Sequence, residues 1–530
     1  MSTANSIAVE KAGWRPRVNP WIIGVVVALG AFMDVLDTDI ANVALPHIAG
    51  NLGVTNSQST WVLTSYLVAN AVVLPITGFL ADLLGRKRLF MTCIALFTVS
   101  SFLCGLAPSL GMLILFRILQ GAFGGGLQPM AQAILMDSFP PEKQGQAFAL
   151  FGVTVVIAPA IGPILGGWIT DNYNWRWVFY INIPVGLLTL LLVYHLLQES
   201  PHMKSVKKQL ARFDYVGFSL LVLGVGALQV LLDKGQEDDW FGSPFIATLS
   251  IVAVVGLVSM AVWEWYHKDP IVDVRLFKNF NFLTANVMFL MLGASFFSGL
   301  VLLPQFLQNL MGYPAQTAGM VLSAGAVVMS IMLVCVGQLS ARLQARQMIA
   351  FGWIATAVAM YVSTRQMDLF VSFDSAARLR ILQCVAMPFL FVPLTTAAYI
   401  GISSAKRNNA AGLMNFTRNI GQSIGTAIVT TLVARRAQFH QSMLSEYTNS
   451  TRFRSAINGL AMQLHQAGLS VEEARHQALD RLYGMVQEQA TAISYLDVYW
   501  LLGMFAIAMF FASFLLKKNE LGKGGPVALH

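Results

Sequence analysis

Between Trp21 and Leu516 the chain is a near-continuous series of apolar runs, each about 20 residues long and parted by short polar breaks. That pattern leaves few folds open. A helix of this length crosses the roughly 30 Å hydrocarbon core of a bilayer. In lipid, only helices and closed barrels satisfy every backbone polar group. Windows of this size place helices at 21–43, 59–81, 89–107, 110–133, 146–169, 176–198, 213–233 and 244–267. Six more fall at 281–308, 316–339, 347–366, 379–402, 412–434 and 494–516. Fourteen spans are therefore expected, and an even number puts both termini on one side. The first run is long enough to be retained as a helix, and no cleavable leader is evident. Composition agrees: 56% of residues are hydrophobic and 11% charged, against about 25% charged in soluble domains.

The net charge of +8 is not a nucleic-acid footprint, because the basic residues follow the topology. Arg86, Lys87, Arg88, Lys143, Lys204, Lys207, Lys208, Arg212, Lys268, Arg275, Lys278, Arg342, Arg346, Lys406 and Arg407 all fall between spans on one side. Six short loops opposite carry only Arg176, Lys234, Arg365, Arg378 and Arg380. Cytoplasmic loops are enriched in Lys and Arg, so both termini are expected in the cytoplasm of a multi-pass inner-membrane protein. Cys93, Cys104, Cys335 and Cys384 all lie in predicted helices and read as small packing residues.

The layout is six helices (1–200), a pair behind a basic link (201–268), and six more (269–530), with an extracytoplasmic loop at 436–493 before the last. Gly78-Phe-Leu80-Ala-Asp82 ends the second helix, and Gly337-Gln-Leu339-Ser-Ala341 ends its later counterpart. This weak repeat points to two related halves with an inserted pair. Loops as long as 436–493 are usually functional or disordered. A flap over the exit and a docking surface for an extracytoplasmic partner both remain open.

Three carboxylates interrupt the first helix: Asp34, Asp37 and Asp39. Asp34 and Asp37 share a helical face and Asp39 points away. An ionised Asp at mid-membrane costs about 2.5–3.5 kcal/mol on insertion scales, so it is seldom kept for packing. A carboxyl there suits proton carriage. In the fourth helix Arg117, Gln120, Gly121, Gly124 and Gln128 form a polar stripe at helical spacing, and Arg117 needs an anionic or carbonyl partner. The fifth carries Pro159, Gly162, Pro163 and Gly166, whose small residues permit close packing and whose prolines bend the helix. Asn42, Tyr66, Asn70, Asn182, Gln305, Gln308, Asn415, Arg418 and Gln422 are further polar residues inside spans, candidates to line a cavity. No Gly-x4-Gly-Lys-Ser/Thr loop, His-Glu-x-x-His or Cys pair occurs, so neither ATP, a metal nor another cofactor is expected.

Taken together these motifs resemble the major facilitator superfamily. The Gly78–Arg88 stretch is similar to its signature between helices two and three. Arg117–Gly121 and Gly162–Gly167 resemble motifs of its drug/proton antiporters. Leu36–Pro46, Trp175–Gly186 and Asp269–Phe277 are similar to the fourteen-helix EmrB/QacA subfamily, and the long late loop to its EmrB-type members. The resemblance implies an all-α membrane fold of two six-helix halves plus two inserted helices. It implies Asp37 as the protonatable residue, Arg117 as its coupling partner, and Gly78, Asp82, Gly85 and Arg86 as a conformational latch. It further implies export of small lipophilic compounds against protons, with a periplasmic adaptor and an outer-membrane channel as partners. Asp39 stands where that subfamily commonly has Thr, and Asp34 is an additional acid, so the choice of proton carrier among the three stays open. An exporter dedicated to one metabolite and a non-transporting sensor are the alternatives.

Overall fold

The computed structural model describes residues 18–140, 143–198, 214–340, 342–403, 406–446 and 451–516. The basic link Lys204–Arg212 and both termini lie outside them. All regular structure among the described residues is helical. The first six long helices are α1 (Pro20–Leu52), α2 (Trp61–Leu84), α3 (Arg86–Leu106), α4 (Leu110–Ser138), α5 (Gln144–Asn172) and α6 (Trp177–Leu196). The inserted pair is α7 (Tyr215–Lys234) and α8 (Pro244–Tyr266). The rest are α9 (Phe280–Leu310), α10 (Ala315–Leu339), α11 (Ala345–Gln366), α12 (Phe373–Ala398), α13 (Arg407–Glu446), α14 (Thr451–Gln466) and α15 (Val471–Ala512).

Local signals fix many of these ends. Asn19 accepts from Trp21 N and Pro20 opens α1, as caps and N1 prolines do. Ser109 and Ser372 cap α4 and α12. Ser470 and Glu473 form a capping box at α15. α4 breaks at Gly125 and Gly126, and α9 contains two π-turns, Gly293–Phe297 and Phe306–Leu310.

Thirteen helices among the described residues are long and apolar enough to span a membrane. The expected span at 412–434 lies in α13, which carries Asn415, Arg418, Asn419 and Gln422 and packs against α2, α9 and α15. On its polar face Asn415 is buried and Arg418, Asn419 and Gln422 are half-buried against protein, which is where the bilayer tolerates such residues.

Two expectations need correction. The segment at 436–493 is mostly helix: α13 runs on to Glu446, α14 packs on α15, and α15 begins at Val471. Arg436 and His440 bind Asp497 at 2.6–2.7 Å, tying the extensions together. Arg380, assigned to a short loop, lies inside α12 and is only 3% exposed. The polar run Asp374-Ser-Ala-Ala-Arg378 disguises the first two turns of that helix.

The halves meet most closely at the basic end, which carries Arg86, Lys143, Arg342 and Lys406. A methyl added at Gly78 of α2 would lie 2.7 Å from the Asn409 backbone of α13, and one at Gly337 of α10 would lie 2.7 Å from Ala149 of α5. Each half thus inserts a glycine into the other at corresponding places. At the opposite end α7 stands between α2 and α13. Asp233 accepts from Thr64 on α2, and Lys234 donates to Thr60, which precedes that helix. Gln229 pairs with Ser423 at 3.0 Å, and Trp240, just past α7, donates to Thr431 at 3.1 Å on α13.

Candidate functional site: a buried charge network

Asp34 and Asp37 of the first helix face α4, where Gln128 and Gln120 donate to them. A methyl added at Gly121 would come within 2.3 Å of Tyr66 O, so α2 and α4 touch backbone to backbone there. This contact brings Arg117 over the Tyr66 ring, 4.1 Å from its centroid, with Phe179 on another side at 5.6 Å.

Asp37 and Arg117 are both fully buried and form an ion pair. Gln120 Nε2 donates to Asp37 Oδ1 at 2.8 Å, and Asn182 Nδ2 donates to the same oxygen at 2.6 Å. Arg117 Nη1 also donates to Gln120 Oε1 at 2.8 Å, and its Nε to Val62 O at 3.1 Å. Ser101 supports Asn182 from α3 at 3.0 Å. Burying two charges is tolerable only when most of their hydrogen-bonding capacity is met; here Arg117 Nη2 alone of the pair's nitrogens and oxygens has no hydrogen-bond partner among the described residues.

Asp34 belongs to an adjoining network. Tyr66 Oη donates to its Oδ1, Asn70 Nδ2 to the same oxygen at 3.1 Å, and Gln128 Nε2 to its Oδ2 at 2.8 Å. Gln128 Oε1 in turn accepts from Arg418 Nη2 at 2.6 Å. A chain of contacts therefore runs from α1 through α4 into α13 of the other half. Tyr66 joins the two networks, its hydroxyl on Asp34 and its ring on Arg117. Asn415 pairs with Gln132 at 2.8 Å across the same interface.

Asp39 lies apart from both. It packs against α5, where a methyl added at Gly162 would lie 2.7 Å from its Cβ. Its Oδ2 is buried with no hydrogen-bond partner among the described residues. Gly166 sits against Ile40 O, and Pro163 faces Gly319 of α10, so this stretch of α5 is held between α1 and the other half. Asn42 is exposed and Gln305 half-buried; neither joins the network.

At the basic end Gly85, with φ of 86°, makes the sharp turn that starts α3 and aims Arg86 inward. Arg86 pairs with Asp137, and its Nε donates to Asn408 Oδ1 at 2.6 Å. Asn408 Nδ2 donates to Asp82 Oδ1 at 3.0 Å, while Arg407 binds Asp137 at 3.3 Å. Asp82 and Arg86 thus meet through Asn408 of the other half. Asp137, Asn408, Arg407 and Gln132 escaped the sequence reading; only the acid closing α4 just before Phe139-Pro140 hinted at the first.

Chemically, the site holds two carboxylates and two guanidiniums out of water. Protonating one Asp leaves an Arg without its counter-charge in a low-dielectric interior, where such a change is strongly felt. Proton binding there can therefore be converted into a change of packing between the halves.

The Major Facilitator Superfamily profile matches residues 27–426. The chain belongs to that superfamily. Among its relatives is the Multidrug export protein EmrB of Escherichia coli K12, 37% identical over 95% of this chain and 96% of that protein. The Fatty acid resistance protein FarB of Neisseria gonorrhoeae is 40% identical over 83% of this chain and 86% of that one. Among solved structures, the proton:xylose symporter XylE superposes with a TM-score of 0.59 at 14% identity, covering 94% of this chain and 96% of that chain. That last likeness concerns the fold. Membership in the superfamily makes the chain a multi-pass membrane transporter of EmrB type and not an enzyme.

Proposed function

We propose that the chain is a proton-coupled antiporter that exports small lipophilic compounds across the inner membrane, with both termini in the cytoplasm. The observation that carries this reading is the buried Asp37–Arg117 pair, joined through Tyr66 to the Asp34–Gln128–Arg418 chain between the halves. Asp37 takes up a proton, Arg117 loses its counter-ion, and the packing around Tyr66 shifts. That shift passes through Gln128 to Arg418, and the latch at Asp82, Arg86, Asp137 and Asn408 then opens the basic end. Each charge moved across 100 mV is worth about 2.3 kcal/mol, enough for a modest gradient of a lipophilic compound. The names of the relatives, one a multidrug exporter and one a fatty acid resistance protein, support apolar substrates, lipophilic acids among them.

We further propose that α14 and the extensions of α13 and α15 face the periplasm and dock an adaptor that leads to an outer-membrane channel. The groove between them, about 640 Å³ and lined by Ser442, Phe453, Leu479 and Tyr483 among others, supports this. Exposed Met443, Met462 and Met485 on the same helices add an adaptable apolar surface.

The test is efflux of a fluorescent lipophilic cation from proteoliposomes under an imposed pH gradient, with the native chain and Asp37→Asn. Gradient-driven efflux that the substitution abolishes is the expected result. Efflux that survives it moves the proton to Asp34 or Asp39, and no gradient-driven efflux of any lipophilic compound overturns the antiporter reading.

A further inference from the structure

The tetrapeptide Arg-Ile-Leu-Gln occurs twice, as Arg117–Gln120 in α4 and Arg380–Gln383 in α12. Both copies lie equally deep in their helices, each arginine seven places along from Leu110 or Phe373. In both the arginine donates to the glutamine through Nη1, at 2.8 Å and 3.2 Å. Both glutamines donate through Nε2 to a polar group: Gln120 to Asp37, and Gln383 to Ser363 Oγ at 3.0 Å. Each arginine faces aromatic rings, Tyr66 and Phe179 in one half and Phe296 at 5.9 Å in the other.

One component differs. Arg117 has Asp37, whereas Arg380 pairs with no acid among the described residues. Its Nε has no hydrogen-bond partner there, although the residue is only 3% exposed. The place in α9 that matches Asp37 in α1 falls in the π-turn Gly293–Phe297. Beside it an enclosed void of about 10 Å³ is lined by Ser295, Phe296, Thr356, Met360, Arg380 and Gln383, room for one water-sized group. Ser295 Oγ is also buried and unpartnered. A membrane-buried guanidinium normally has an anion or carbonyls beside it. Here the cation, its glutamine and a free hydroxyl converge on a space where the sister half holds a carboxylate.

We infer that Arg380, Gln383 and Ser295 form a carboxylate-binding site in the C-terminal half, which takes the headgroup of a lipophilic acid. Apart from Thr356, whose hydroxyl donates to Gly352 O at 2.9 Å, the rest of the wall is apolar, and its Met360 can repack around a chain. The void is closed in this conformation, so the ligand enters in another state of the transport cycle. This inference rests on the exporter reading for the identity of the acid as substrate, and on the internal repeat for the site itself.

The test is equilibrium binding of radiolabelled decanoate to the purified full chain in detergent, without any gradient, with methyl decanoate, acetate and chloride as competitors. Decanoate is expected to bind at least tenfold tighter than any of the three. Arg380→Lys is expected to weaken it about tenfold. Ser295→Asp, which supplies the missing carboxylate from within, is expected to abolish binding while raising the melting temperature. That variant keeps the inference falsifiable where substitutions of Arg380 fail to fold. Methyl decanoate competing as well as decanoate overturns the site, as does decanoate binding that survives Ser295→Asp. Chloride or acetate displacing decanoate at equal concentration overturns the lipophilic acid. Because binding is read without a gradient, failure of the antiporter reading appears in the efflux assay alone.

Discussion

Asp137 is the residue through which the latch can be weighed. Its carboxylate holds two arginines from different halves, Arg86 of α3 and Arg407 of α13. The side chains of Arg86 and Asp137 are 6% and 17% exposed, and that of Arg407 28%. Breaking a fully buried pair costs about 3–5 kcal/mol, and an exposed pair is worth about 0–1 kcal/mol. Asp137→Asn should therefore destabilise the closed basic end by about 2 kcal/mol. That lowers the closed-to-open ratio about 30-fold. A disulfide can read this ratio. The Cβ of a cysteine at Gly145 of α5 would lie 3.2 Å from Ser340 Cβ beside α10, close to the 3.5–4.5 Å typical of disulfides. In a background with Cys93, Cys104, Cys335 and Cys384 replaced, Gly145→Cys/Ser340→Cys should cross-link on mild oxidation and block transport until reduced. Under conditions that populate both states about equally in the parent pair, adding Asp137→Asn should slow cross-linking at least tenfold. A rate within twofold of the parent pair would refute the claim that Asp137 holds this end closed.

Three further tests address separate parts of the network. Asp37→Asn leaves Arg117 buried and unpaired, so its melting temperature should fall, and Asp37→Asn/Arg117→Gln should recover most of the loss; equal melting of all three chains would sink the pair. Gln128→Leu removes the group shared by Asp34 and Arg418, and should cut gradient-driven efflux more than tenfold while downhill exchange persists, read in the same vesicles. Gly162→Ala brings a methyl to 2.7 Å of Asp39 Cβ and should cost about 1–3 kcal/mol, seen as lower melting temperature and slower efflux.

The spans were legible because the bilayer fixes their length. Trp61–Leu84 and Pro244–Tyr266 depart from 59–81 and 244–267 by no more than three residues at either end. The acids of α1 were legible too, since lipid makes an idle Asp costly. What the sequence hid are the pairings. Asp137 with Arg407, and Gln128 with Arg418, join residues far apart in the chain, and no local pattern marks such partners. α12 was read six residues short because Asp374, Arg378 and Arg380 mimic a loop. Only its packing among α9, α10 and α11 turns Ala376, Leu379 and Arg380 inward, while Asp374 and Arg378 stay exposed. In 436–493 only Leu479, Leu482 and Met485 stand at helical spacing, for the opposite reason: a helix that faces water carries no long apolar run to announce it.

The inserted pair makes sense in the same geometry. α2 and α13 touch directly at the basic end, where a methyl at Gly412 would lie 2.7 Å from Leu74 O. Toward the other end they are parted by α7, which binds α2 through Asp233, the preceding Thr60 through Lys234, and α13 through Gln229. Two helices in contact at one end and wedged at the other form a V with its apex at the basic end. Without the wedge, the open arm of that V would expose the polar face of α13 to lipid, at a cost that membrane proteins avoid. If the halves rock so that the basic end opens, the arms must approach where α7 now stands. One set of its hydrogen bonds then has to break or slide. On the proposed rocking motion α7 belongs to the moving parts, and Gln229, Asp233 and Lys234 would hold two helices whose separation changes.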